Sequence, residues 1–187
     1  MKKAFSCIIV LLIAGGYLFC QPKVSMKGYG LIEWGSAPAA VGESFKDFEL
    51  VDEREYTNST GRIFKENIYR QKVSNSNVTE RTFSFFNNEL YRVDVRYTRL
   101  SQDDLSLLRT ALEMLYGSFT ITVNPRGGEI HSIKLEALDI EMILPNRANN
   151  ITTVSYQDPV RSREIAPLKG SRIVEDFFNY FKDRIQL

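Results

Sequence analysis

Between Phe83 and Gly117 the chain reads FSFFNNELYRVDVRYTRLSQDDLSLLRTALEMLYG, and no other stretch limits the fold as tightly. Tyr91, Val93, Val95 and Tyr97 alternate with Arg92, Asp94 and Arg96, so a strand here has one apolar face and one charged face. On this reading Tyr91 shares the apolar face with the other three. Asn87-Asn88 separates that run from the preceding FSFF, and asparagine tolerates positive φ, so a tight hairpin turn is predicted. Ser101 precedes two aspartates and a leucine-rich run. Its hydroxyl can cap the orphan amides of a helix, while Asp103 and Asp104 oppose the positive helix end. Leu105, Leu108, Leu112 and Leu115 fall on one stripe, and Gly117 suits the helix stop.

The flanking chain extends this unit in both directions. Leu31 to Gly35 is a short apolar segment, followed by a helix that Ser36 can cap and Pro38 can start, with Ala40, Val41, Ser44 and Phe45 on one face. Trp34 reads as an anchor that packs the helix start on a sheet. FELVDEREYT, IFKENIYRQKV and VTERTFSFF then read as strands separated by polar turns, and short connections favour an antiparallel meander with Glu89 to Tyr97. After the Ser101 helix four more strands are expected. Their marks are Phe119, Ile121 and Val123; Ile133 and Leu135; Ile140, Met142 and Leu144; and Val154 with Tyr156. The fold class is α+β, an antiparallel sheet covered by helices, with a C-terminal helix in addition. Helix plus four strands occurs twice in this order, over 31–98 and 101–157. No sequence identity between the two stretches is visible, so a true tandem repeat and a coincidence of order both remain open.

Met1-Lys2-Lys3 followed by the uncharged run Ala4 to Cys20 has the form of a secretory leader, so 1–20 is read as a signal peptide and 21–157 as the α+β domain. An uncleaved inner-membrane anchor and lipidation at Cys20 are the alternatives. Bulky Phe19 stands where a lipidation signal needs a small residue. Both cysteines, Cys7 and Cys20, lie in the leader, so the chain from Gln21 onward has no disulfide, cysteine nucleophile or thiolate metal site. Without Lys2 and Lys3 the chain carries 22 basic and 23 acidic residues, a balance that points to no nucleic acid partner. Three Asn-x-Ser/Thr sites, at Asn58, Asn77 and Asn150, matter only in a eukaryote, and the short MKK leader looks bacterial.

Asp158 to Gly170, with two prolines and five charges, is expected to be a linker over 158–170. An amphipathic C-terminal helix is expected over 171–187, with Ile173, Phe177, Phe181 and Ile185 at four-residue spacing.

The search for chemistry leaves little. His131, the sole histidine, shares a strand parity with Ile133 and Leu135, which suits a packed or hydrogen-bonded residue. Asp52, Glu53 and Glu55 form the densest acidic run, and only Glu53 and Glu55 share a face, as residues of a solvated strand would. Gln102-Asp103-Asp104 lacks calcium-loop spacing. No catalytic, cofactor-binding or metal-binding residue is assigned. The Tyr/Arg-rich strands supply types enriched in contact hot spots, and Tyr69, Arg70, Arg92, Arg96, Phe177 and Phe181 are the candidate contact surface.

Trp34-Gly35-Ser36 opening a helix with Val41, the run Phe85-Phe86-Asn87-Asn88-Glu89-Leu90-Tyr91-Arg92-Val93, and a helix ending Leu115-Tyr116-Gly117 resemble one group of proteins. These are small exported bacterial proteins with a WG…V helix start and an F-x-N-x-x-L-x-x-V hairpin. Their architecture is similar to the β-lactamase-inhibitor-protein-like fold, of which the outer-membrane assembly lipoprotein is a distant, single-unit relative. The resemblance covers roughly Leu31 to Tyr156. It implies an envelope protein that acts by contact, and Cys20 departs from the lipidated pattern. The functional expectation is therefore a non-enzymatic, periplasmic or envelope-associated contact module with an envelope protein partner. The alternatives are a carboxylate-dependent hydrolase and a peripheral membrane binder acting through the C-terminal helix.

Overall fold

The computed structural model describes residues 27–73, 77–123, 128–145 and 150–182, with 171–182 as backbone. The expected leader, 1–20, lies outside the described residues, as does the end of the C-terminal helix beyond Lys182. Two short strands, β1 (Gly28–Tyr29) and β2 (Ile32–Glu33), pair as a hairpin ahead of α1 (Pro38–Ser44). Four strands follow: β3 (Phe48–Thr57), β4 (Ile63–Lys72), β5 (Val78–Phe86) and β6 (Glu89–Thr98). After α2 (Gln102–Tyr116) come β7 (Thr120–Val123), β8 (Glu129–Lys134), β9 (Asp139–Ile143) and β10 (Ile151–Gln157), and α3 (Pro159–Lys182) closes the series. The fold is mixed α and β and mostly sheet. Its eight-stranded antiparallel sheet has the order β3-β4-β5-β6-β10-β9-β8-β7. The two meanders thus meet through their last strands, with Val95 opposite Val154.

Register explains how one sequence serves two faces. Tyr69, Phe83, Val93, Tyr156, Ile140 and Ile133 follow one another across six strands as direct cross-strand partners, and all six are apolar. They belong to the main core, which α1 fills with Val41, α2 with Leu112, and the β1–β2 hairpin with Tyr29 and Ile32. One residue further along each strand, the side chains point the opposite way. A second, smaller core lies on that opposite face, where Ile165 of α3 packs with Tyr56, Phe86 and Tyr91.

Local signals place the elements. Asn87 and Asn88 both have positive φ, 49° and 71°, in the two-residue turn between β5 and β6. Ser101 Oγ accepts from the Asp104 amide at 3.1 Å, and Asp104 Oδ2 accepts from the Ser101 amide at 3.1 Å, which completes a capping box. Gly117 ends α2 with φ 99° and donates its N–H to the Glu113 carbonyl. Trp34 packs on the main core, and its indole N–H reaches the Ala137 carbonyl at 3.2 Å, tying the N-terminal hairpin to the β8–β9 turn. Gly28 admits no side chain, because a Cβ there would lie 1.8 Å from the Ile32 carbonyl oxygen.

Four expectations need correction. First, Phe85 pairs with Leu90 while Ser84 pairs with Arg92, so Tyr91 is the extra residue of a β-bulge and turns to the α3 side, away from Val93, Val95 and Tyr97. Second, Leu115 is 62% exposed, although Leu105, Leu108 and Leu112 do face inward; the stripe drifts off the core in the last turn. Third, α1 takes Ala37 as its N-cap with no side-chain bond, so Ser36 does not cap it. Fourth, the stretch read as a linker over 158–170 is helical from Pro159 onward. Asp158 is the reason, since its Oδ1 accepts from the Val160 amide at 2.9 Å and acts as an N-cap just before a proline at the first helical position.

Candidate functional site

Two features stand on the α3 side of the sheet, and the first is a carboxylate sealed in the small core. Glu66 is 1% exposed. Its Oε1 accepts from Lys169 Nζ at 2.7 Å and from the Tyr91 hydroxyl, and its Oε2 accepts from the Tyr56 hydroxyl at 2.6 Å. Lys169 also donates to the Tyr91 oxygen at 2.9 Å, and Arg54 lies 3.9 Å from Oε2. Burial by itself pushes the Glu66 carboxyl up. The Lys169 ammonium and the two tyrosine hydroxyls outweigh it and hold the group below its ordinary value. Burial and the same carboxylate push the Tyr91 phenol well above its own ordinary value, so it stays a donor. With three donors on its two oxygens, one of them Lys169 of α3, Glu66 fastens α3 to the sheet.

The second feature is a polar row across the whole sheet. Glu49, Arg70, Thr82, Asp94, Ser155, Glu141, Ser132 and Thr120 are direct cross-strand partners from β3 to β7. A parallel row beside it runs Lys72, Glu80, Arg96, Thr153. Charges of opposite sign meet on this face: Arg70 bonds Glu49 at 2.8 Å, Arg96 bonds Glu80 at 2.7 Å, and Arg92, outside the two rows, reaches back to bond Asp94 at 2.8 Å and Ser155 at 3.1 Å. The Arg70 and Arg96 side chains remain 34% and 47% exposed. The contacts of α3 in the small core all fall at the other end of this face, on Tyr56, Phe64, Phe86 and Tyr91.

Of the six residues named from the sequence as a contact surface, Arg70, Arg92 and Arg96 share this polar face. Tyr69 does not. It faces the main core and stacks on Phe48 with ring centroids 4.6 Å apart. Phe177 and Phe181 lie in the part of α3 described as backbone. His131 is buried among core residues with Nε2 3.1 Å from Glu129 Oε2 and its ring edge-on to Phe119, while Nδ1 has no partner among the described groups. Glu53 and Glu55 both flank Lys65, at 3.9 and 3.0 Å, and all three are exposed.

The Glu66 cluster went unnoticed in the sequence. A signal was present: Phe64, Glu66 and Ile68 share one strand parity, and a carboxylate inside an apolar row implies a buried partner. Among the described residues no group of three or more His, Cys, Asp or Glu is placed to hold a metal ion, and no helix is long and apolar enough to cross a membrane. Compared with known proteins, the chain matches no family model, no curated protein and no solved structure.

Proposed function

We propose that this is an exported bacterial envelope protein of non-enzymatic type that binds another envelope protein through the polar face of its sheet. The observation that carries the reading is the row from Glu49 to Thr120, crossing all eight strands on a rigid antiparallel scaffold. Exposed ion pairs of the Arg70–Glu49 kind contribute only about 0–1 kcal/mol each to folding. Ordered charge on such a face is better used for specificity and steering toward a complementary partner. The order helix, meander, helix, meander, with the meanders joined by β6 and β10, supports a reading as two tandem units of the β-lactamase-inhibitor-protein-like architecture.

Site-specific photo-crosslinking in the native envelope tests this. A crosslinker at Arg96 should capture a discrete protein, and one at Ser106, on the exposed side of α2, should not. Equal capture from both positions, or none from Arg96, would count against the polar face.

A further inference from the structure

One concavity stands apart from the polar rows, where α3 passes over the β4 start and the β5–β6 turn. Its volume is about 480 Å³, inside the range of about 300–1,000 Å³ usual for ligand sites. Phe64 and Phe86, stacked with centroids 5.5 Å apart and planes 11° from parallel, line it together with Leu168. Arg62, just ahead of β4, and Glu164, from α3, line it too.

The charges in this groove are not alike. Arg161 also lines it, but its guanidinium is engaged by Glu89 at 2.5 Å and by Asp158 at 2.8 Å. Among the described residues neither Arg62 nor Glu164 has an ion-pair partner. Arg62 lies over the Phe64 ring, 5.0 Å from its centroid. Its backbone is held in place by the preceding turn: Asn58 Oδ1 accepts from the Arg62 amide at 2.9 Å and from the Thr60 amide at 3.1 Å, with Gly61 at φ 79° between them. Among the described residues the groove therefore combines apolar lining with a cation and an anion that have no ion-pair partner.

We infer that this groove docks a peptide segment of the partner protein, an apolar or aromatic side chain flanked by an acid and a base. The apolar side chain packs on the ring edge of Phe64 and on Leu168, the acid faces Arg62 and the base faces Glu164. Each of the two charges then gains the partner it lacks, and burial of the apolar side chain adds to the pairing. This rests on the contact-module reading and names the recognition element within it.

The test titrates the purified protein with two blocked tripeptides, one of aspartate, phenylalanine and lysine, the other of alanine, phenylalanine and alanine. The charged peptide should bind at least tenfold tighter. Arg62→Glu combined with Glu164→Lys should reverse that preference, and Arg62→Gln alone should weaken it severalfold should the double variant not fold. Equal affinity for the two peptides, no saturable binding of either, or no response to Arg62→Gln overturns the inference. An envelope partner retained without peptide binding sinks the groove and leaves the polar face standing. Peptide binding with no retained partner supports the groove as a site and sinks the polar face.

Discussion

Lys169 Nζ lies 2.7 Å from Glu66 Oε1, across 103 residues of chain, and this contact fastens α3 to the sheet. Because the carboxylate is 1% exposed and the lysine 36%, losing the lysine leaves a buried charge with less compensation. Lys169→Met should lower stability by about 1–3 kcal/mol in chemical denaturation. Combining it with Glu66→Gln should cost less than the sum of the two, by roughly 0.5–3 kcal/mol. Additive effects would mean that the two groups are not coupled.

The pH dependence follows from the same cluster. Glu66 has a folded value below its unfolded one. Its contribution is therefore present above the ordinary glutamate range, near 4.3, and is lost as pH falls through the lower folded value. Tyr56 and Tyr91 are raised, and burial lifts Tyr116 to about 12. Their contribution is whole below about 10 and is lost as pH rises through the folded values. Melting temperature against pH should show both limbs, and Glu66→Gln should flatten the acid one. An acid limb unchanged by Glu66→Gln would assign it to other carboxylates.

The inward face of α2 is tested by three substitutions. Leu112 is 2% exposed, so Leu112→Ala should cost about 2–5 kcal/mol. Ser101→Ala loses the cap and should cost about 1 kcal/mol. Leu115→Ala, at an exposed site, should stay within about 0.5 kcal/mol. A Leu115→Ala cost equal to that of Leu112→Ala would restore the four-leucine stripe that the structure breaks.

Legibility in the sequence tracked how local the cause was. The Asn87-Asn88 turn, the Ser101 cap and the alternation from Val93 to Tyr97 depend on residues a few positions apart, and all three are present as read, with the return bond from Ser101 N–H to Asp104 added by the structure. The bulge at Tyr91 depends on which β5 residue faces which β6 residue, and nothing in Leu90-Tyr91-Arg92 alone sets that pairing. The adjacent apolar pairs Phe85-Phe86 and Leu90-Tyr91 do mark a hairpin end buried on both faces. That sense emerges only once α3 is known to lie there. Pro159 and Pro167 disguised α3, since prolines read as breaks, although one stands at the first helical position where its missing N–H costs little. Of the candidate contact residues, strand parity put Arg92 and Arg96 on one face; Arg70 joins them through the register of β4, β5 and β6, and Tyr69, of opposite parity to Arg70, points to the core.

Export rests on the basic start and the uncharged run from Ala4 to Cys20. Sequencing the N-terminus of the native protein should find a chain that begins near Gln21, in the envelope fraction. An intact Met1 on soluble cytoplasmic material would remove the export premise.

The most direct test of the account is partner retention by a charge-reversed face. Arg70→Glu together with Arg96→Glu alters a half-buried and an exposed side chain on neighbouring polar rows and sets like charges opposite Glu49 and Glu80, so it should lower the melting temperature while leaving one cooperative transition. Affinity purification from the native envelope, quantified against the unmodified protein, should then show loss of one discrete co-purifying protein, by tenfold or more. Retention of that same protein at an undiminished level, by a folded double variant, would contradict a contact function for this face.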